Sequence, residues 1–171
     1  MSLDKPIEGG CYCGAVRYES TEPPVRCGMC HCRMCQRWIG VAAAMGVFFD
    51  VDSFRFTKGE PARFMTSRIL ERHFCADCGG AIGHRYKYGS TANIEIVFVG
   101  TLDEPKEVET PSFYFGVEDH LPGWITLREG IEQIRADASP EIAARFAEAD
   151  RVSPERPNPE TERSKDCRSK P

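Results

Sequence analysis

GGCYCG, at residues 9–14, is matched later in the chain by FCADCGG, at residues 74–80. In both stretches a glycine follows the second cysteine, which permits a tight turn that points the thiolates inward. Four thiolates brought together in this way predict a closed, tetrahedral structural zinc site that links strands distant in sequence. The predicted ligands are Cys11, Cys13, Cys75 and Cys78. Buried free cysteines, or a redox pair at Cys75 and Cys78, are the alternatives.

A second group of cysteines lies in the stretch CHCRMCQR at residues 30–37. On a turn that leads into a short helix, Cys30, Cys32 and Cys35 can direct three sulfurs at one metal. The fourth position is then free for water or substrate, which is typical of a catalytic zinc. Cys27 leaves an alternative open, because as a fourth ligand it would close the site into a second structural cage. We interpret Cys27 instead as a small buried hydrophobic residue or a spare thiol.

Basic residues flank this second group. Arg33 and Arg37 are predicted to bind an anionic substrate and to stabilise thiolates, and Arg85 is a further candidate. The alternative for Arg33 and Arg37 is that they are solvated charges on the face of a helix.

The four histidines are weaker candidates for the site. His31 is flanked by softer ligands and is expected to point away from the metal. His73 and His84 fall in predicted strands and are interpreted as ordinary strand side chains. His120 lies in an acidic loop and is a minor candidate for a substrate role.

Composition excludes several classes of protein. The 171 residues carry 22 basic and 26 acidic side chains, a net charge of −4, which argues against a polyanion-binding surface. No apolar run approaches the roughly 20 residues that span a bilayer. Nine cysteines are too few for a disulfide scaffold and cannot pair completely within one chain. The opening MSLDKPIEGG has no apolar secretory segment, so we expect the reducing cytosol, where clustered cysteines bind metal or do chemistry.

The body of the chain, residues 1–150, is predicted to be one mainly β domain of short antiparallel strands. Alternating or apolar runs separated by turn residues support this prediction. The candidate strands are Val16–Glu19, Ala42–Phe49, Phe54–Phe56, Ile69–Phe74, Ala81–Tyr86 and Ile94–Val99, and Met34–Trp38 is a candidate helical turn.

The C-terminal part has a different character. Ser139 can cap a short helix with Pro140 at its first position and Ile142 and Phe146 on one face. Residues 151–171 carry six basic and four acidic residues and are predicted to be a disordered charged tail, in which Cys167 is a bystander. Without the tail, the body has a net charge of −6.

These motifs, in this order, resemble the glutathione-dependent formaldehyde-activating enzyme family, which includes centromere protein V. The resemblance is carried by residues 9–18, by residues 30–37 with Gly40, and by residues 74–79. Residues 100–103 and 113–124 look like the family's last β portion, so the resemblance covers about residues 7–135. The ordered set of three cysteine motifs is far more specific than any one of them.

The resemblance implies a zinc-containing, β-tent-like fold of two stacked or facing sheets. It implies a structural zinc on the four ligands predicted above and a second, catalytic zinc on Cys30, Cys32 and Cys35; whether the second ion is labile stays open. The implied activity is that of a carbon–sulfur lyase, which adds glutathione to formaldehyde to form S-hydroxymethylglutathione. The implied partners are a small thiol and a small aldehyde, with no nucleic acid and no membrane.

Another class of function competes with the enzyme. A non-catalytic zinc module would bind a protein partner or glutathione, with Cys27 closing the second site and an exposed aromatic patch at Phe48-Phe49 or Phe113–Phe115. Nucleic-acid binding through a zinc ribbon is disfavoured by the body's net charge of −6.

Overall fold

The fold, seen in a computed structural model, consists of two β-sheets and one short helix. The structure describes residues 4–137 except 68, 88 and 90. Its strands are β1 (Ile7–Gly10), β2 (Arg17–Ser20), β3 (Arg26–Cys30), β4 (Ala44–Asp50), β5 (Phe54–Lys58), β6 (Ala62–Met65), β7 (Leu70–Phe74), β8 (Ala81–Tyr86), β9 (Ile94–Phe98), β10 (Phe113–Phe115) and β11 (Glu132–Ile134). Helix α1 is Arg33–Ile39, and single 3₁₀ turns occur at Val99–Thr101, Pro105–Glu107 and Val117–Asp119.

The strands form a three-stranded sheet in the order β1-β2-β5 and an eight-stranded sheet in the order β11-β10-β3-β4-β9-β8-β7-β6. Most neighbours are antiparallel, as predicted, but β10 runs parallel to both β3 and β11. The mainly β class and the antiparallel pairing of the central strands are therefore confirmed.

All six predicted strands are present, with ends that differ by at most two residues, and the predicted helical turn is α1. The predicted helix after Ser139, the charged tail and Cys167 lie outside the described residues. No helix among the residues that the structure describes is long and apolar enough to cross a membrane.

One core lies between the two sheets. Tyr18 of the small sheet packs with Val47, Phe49 and Val97 of the large sheet, and all four are nearly or fully buried. Because side chains alternate along β4 and β9, Val47, Phe49 and Val97 lie on one face of the large sheet and their neighbours along each strand lie on the other. The opposite face of the large sheet therefore receives α1 and a second, smaller cluster built around Cys35, Ala44 and Phe98.

Candidate metal centres and the adjoining cavity

The first cysteine cluster joins two turns that are far apart in the sequence. Cys11 and Cys13 follow β1, Cys75 and Cys78 follow β7, and all four sulfurs lie within 4.8 Å of one another. The Sγ atoms of Cys11 and Cys13 are 3.5 Å apart, and those of Cys13 and Cys75 are 3.8 Å apart. Zinc–sulfur bonds of about 2.3 Å in a tetrahedron place the sulfurs about 3.8 Å apart. The cluster therefore has the donor set and the size to hold one metal ion.

Both turns are built in the same way. Gly14 and Gly79 each follow a cysteine and adopt left-handed φ angles of 72° and 71°. Such angles strain any residue with a Cβ atom, which explains the glycine after each motif. The backbone N–H of Val16 donates to Cys11 Sγ at 3.2 Å. Burial raises the pKa of Cys11, but this hydrogen bond and the contacts with neighbouring thiols outweigh burial and lower the pKa to about 6.

The second cluster is local in sequence. Cys30 ends β3, Cys32 precedes α1, Cys35 lies in its first turn, and their sulfurs fall within 4.8 Å of one another. The Sγ atoms of Cys30 and Cys32 are 3.3 Å apart. Gly116, at a φ of 68°, allows its own backbone to approach Cys32, because a Cβ atom there would lie 2.9 Å from the Cys32 nitrogen. These three cysteines form a second group that could hold a metal ion.

Cys27 lies apart from this group. Side chains alternate along a strand, so Cys27 and Cys30, three residues apart on β3, point to opposite faces of the sheet. Cys27 packs in the core between the sheets and is 6% exposed. Burial, with a smaller contribution from the charge of Glu109, raises the pKa of Cys27. These features fit the small buried hydrophobic residue that the sequence analysis favoured.

Arg72 is a site residue that the sequence analysis missed. Its side chain is fully buried, and its guanidinium donates to Cys35 Sγ and contacts His84 Nδ1, each at 3.5 Å. The Nε atom of Arg72 has no hydrogen-bond partner among the described residues. Hydrogen bonds from Cys30 and Cys32, followed by the charge of Arg72, hold the pKa of Cys35 well below its ordinary value. The Arg72 cation therefore favours the charged, metal-binding form of the Cys35 thiol.

The histidine next to Arg72 carries no charge near neutral pH. Burial, followed by the charge of Arg72, lowers the pKa of His84 to about 3. His84 lies in β8, as expected, and adjoins the only buried guanidinium among the described residues.

Arg33 and Arg37, the predicted substrate-binding residues, lie on the exposed side of α1. The backbone N–H of Arg33 donates to Asp119 at 3.0 Å, and its guanidinium donates to Gln36 Oε1. Arg85 is also engaged, since its guanidinium donates to the carbonyl of Ala92 at 3.0 and 3.1 Å.

The histidines near the second cluster do not join it. His31 is fully buried with its ring 5.0 Å from that of His120 and 5.9 Å from that of Tyr114, so it points away from the cysteines as expected. His120 Nε2 bonds the carbonyl of Ile125 at 2.6 Å. His73 lies between two carboxylates: its Nε2 is 3.2 Å from Glu71 Oε1, and its Nδ1 is 2.7 Å from Glu95 Oε1.

A cavity of about 180 Å³ opens beside the second cluster, and all three of its cysteines line it. Its walls are mostly apolar and include Phe48, Ile69, Leu70, Ile96, Phe98 and Phe113. Arg26 and Arg72 supply the cations, and no acidic side chain lines it among the described residues. The structure thus brings three thiols, a buried cation and an apolar volume together.

One family model matches the region of the chain that contains both cysteine clusters. Residues 6–116 match the family described as glutathione-dependent formaldehyde-activating enzyme. A protein of Halomonas elongata that is named for this family is 31% identical over 84 residues, which cover 44% of this chain and 54% of that protein. The chain therefore matches about half the length of this curated relative. A crystal structure of a Rhodobacter sphaeroides protein has a TM-score of 0.49 and 23% identity, and the match covers 63% of this chain and 99% of the other.

Proposed function

Because the chain belongs to the glutathione-dependent formaldehyde-activating enzyme family, we propose that it is a zinc-dependent carbon–sulfur lyase. Its reaction adds a thiol, glutathione, to formaldehyde or a related small aldehyde, and formaldehyde yields S-hydroxymethylglutathione. The observation that carries the proposal is that Cys30, Cys32 and Cys35 line a cavity with a buried guanidinium beside them.

We assign the metal sites by their donor sets. Cys11, Cys13, Cys75 and Cys78 supply four sulfurs and would hold a structural zinc. Cys30, Cys32 and Cys35 supply three, line the cavity, and would hold a second, catalytic zinc. When bound, the second zinc supplies the positive charge that keeps a substrate thiol ionised at neutral pH, below the unperturbed thiol pKa of about 8.5.

The chain's own side chains complete the chemistry. When the substrate sulfur attacks the aldehyde carbon, the carbon–oxygen π pair moves to oxygen and creates an alkoxide. Arg72 is the buried cation at the cavity and would donate hydrogen bonds to that oxygen as its charge develops. A proton from water then completes the hydroxyl of the adduct. That Arg33 and Arg37 bind the anionic ends of the thiol stays a prediction.

Two observations favour the enzyme over the non-catalytic zinc module. Cys27 lies on the opposite face of β3 from Cys30, which leaves the second cluster with three sulfurs. Phe49, Phe113 and Tyr114, proposed as parts of an exposed docking patch, are buried. We propose a cytosolic setting, because clustered free thiols of this kind persist in a reducing compartment.

The test combines zinc content with the rate of adduct formation. Zinc per chain is measured by plasma emission on the wild type, Cys27→Ala and Cys30→Ala. Exchange between glutathione and its formaldehyde adduct is followed by NMR line exchange, with the uncatalysed rate subtracted. We expect two zinc ions in the wild type and in Cys27→Ala, and loss of one ion together with the catalysed exchange in Cys30→Ala. A zinc-loaded wild type that exchanges at the uncatalysed rate would refute the proposal.

A further inference from the structure

We propose that the cavity selects an aldehyde that carries an apolar substituent about the size of a phenyl ring. This inference rests on the proposed function and names the substrate class of the same site. It starts from a mismatch between the cavity and formaldehyde, which has one carbon and one oxygen.

The volume is the first argument. The cavity measures about 180 Å³. An engineered apolar cavity of about 150 Å³ holds benzene. Formaldehyde beside the cysteines would leave most of this space to water against apolar walls, which is unfavourable. A phenyl-sized substituent would fill it.

The chemistry of the walls is the second argument. Glutathione carries two carboxylates, one ammonium and two amides, and a buried ammonium needs an acidic partner. None of the described lining residues is acidic. The thiol's peptide is thus a poor occupant of this volume, whereas an apolar group on the aldehyde meets Ile69, Leu70, Ile96 and Phe98.

Two glycines allow the aromatic walls to lie close to the sheet. Gly28 of β3 and Gly46 of β4 are directly paired. A Cβ atom at Gly28 would lie 2.2 Å from the Phe113 ring, and one at Gly46 would lie 3.0 Å from Ile96 and 3.3 Å from Phe48. The rings of Phe48 and Phe113 meet edge to face at 5.6 Å. This geometry offers the substituent an aromatic wall.

The position of the cations orients the substrate. Arg72 lies at the cysteine end, beside Cys35, where the aldehyde oxygen belongs. Arg26 is exposed, and its guanidinium lies 4.5 Å from the Phe113 ring centre and 5.1 Å from that of Phe48. Arg26 and Cys30 are four residues apart on one face of β3, about 13 Å at 3.3 Å per residue. Apolar residues line the cavity between Cys30 and Arg26. The substituent therefore points from the cysteines towards Arg26.

The experiment uses stable ligands rather than turnover. Calorimetry on the zinc-loaded chain compares S-methylglutathione, which mimics the formaldehyde adduct, with S-benzylglutathione, which mimics the benzaldehyde adduct. Benzyl alcohol probes the cavity without any thiol. We expect S-benzylglutathione to bind at least about tenfold more tightly than S-methylglutathione, from the apolar area of the ring that leaves water.

Two variants locate the effect. Ile96→Phe fills the cavity and should remove the tenfold preference and the binding of benzyl alcohol. Val97→Leu enlarges the next residue of β9, which faces the core between the sheets, and should keep both. If Ile96→Phe loses zinc or fails to fold, the wild-type preference decides alone.

The outcomes separate this inference from the proposed function. The inference is overturned if the wild type does not bind benzyl alcohol and binds S-benzylglutathione no more tightly than S-methylglutathione. This holds even if the wild type accelerates formaldehyde exchange. A wild type that binds benzyl alcohol in the cavity but leaves adduct exchange at the uncatalysed rate supports the cavity's selectivity and refutes the proposed reaction.

Discussion

Arg72→Met should weaken zinc at the second cluster and leave the first cluster intact. Methionine keeps an unbranched apolar stem and removes the guanidinium that donates to Cys35 Sγ at 3.5 Å. Two unit charges at this distance interact by about 5 kcal/mol at an effective dielectric constant of 20, which is a ceiling because burying the guanidinium has its own cost. Hydrogen bonds to charged groups contribute about 1.5–3 kcal/mol net. The affinity of the second zinc should therefore fall by about 10- to 150-fold.

The assay is competition for zinc against a chromophoric chelator, which resolves a tight and a weaker site on one chain. Arg63→Met is the matched control: Arg63 lies on the neighbouring strand β6 and pairs with Glu60 and Glu71, away from the cysteines. It should leave both zinc affinities unchanged. If Arg72→Met folds and binds its second zinc as tightly as the wild type does, Arg72 does not stabilise the thiolates. The role that we assign to Arg72 in zinc binding is then refuted.

Three further predictions concern stability. Gly116→Ala should destabilise the chain by about 1–3 kcal/mol and weaken the second zinc, because a Cβ atom at this left-handed position meets Cys32; urea unfolding and zinc titration measure both effects. Cys75→Ala should remove the first zinc and lower the melting temperature by on the order of 10 °C, so an unchanged melting curve would contradict a structural role. Burial raises the pKa of Glu71, but hydrogen bonds led by that from His73 outweigh it and lower the pKa, so the stabilisation from Glu71 is complete above the ordinary value of 4.5 and is lost as pH falls below it. Glu71→Gln should therefore show a shallower loss of stability than the wild type as the pH falls below 4.5, and parallel curves would exclude the ion pair as the cause.

The cysteine clusters could be predicted from sequence because metal ligands in tight turns are close neighbours along the chain. The glycines after Cys13 and Cys78 indicated the tight turns of the first cluster, since each occupies a left-handed position. The strands were predictable for a similar reason, because alternation of polar and apolar residues is local.

The cavity was not predictable in this way. Arg72 and Cys35 are 37 residues apart, and their contact depends on which face of β7 meets α1. One signal was present in the sequence: Leu70, Arg72 and Phe74 alternate, so a cation interrupts an otherwise apolar face of β7. Burying a charge on such a face costs free energy unless the charge is paired. The sequence alone does not show which residue is the partner. Arg33 and Arg37 were favoured by closeness in sequence, whereas the cations at the cavity come from β3 and β7.

The two clusters differ in what a metal ion would contribute to the fold. Cys13 and Cys75 are 62 residues apart, whereas Cys30 and Cys35 are separated by only five. If a metal link restricts the unfolded chain as a disulfide does, closing the long loop stabilises the fold by about 4 kcal/mol and the short loop by about 2 kcal/mol. The second cluster also places a fully buried guanidinium next to its thiols, an arrangement that is unfavourable to build. A metal ion would therefore add less to folding stability at the second cluster than at the first, which agrees with the proposal that the second metal meets a substrate and the first holds strands together.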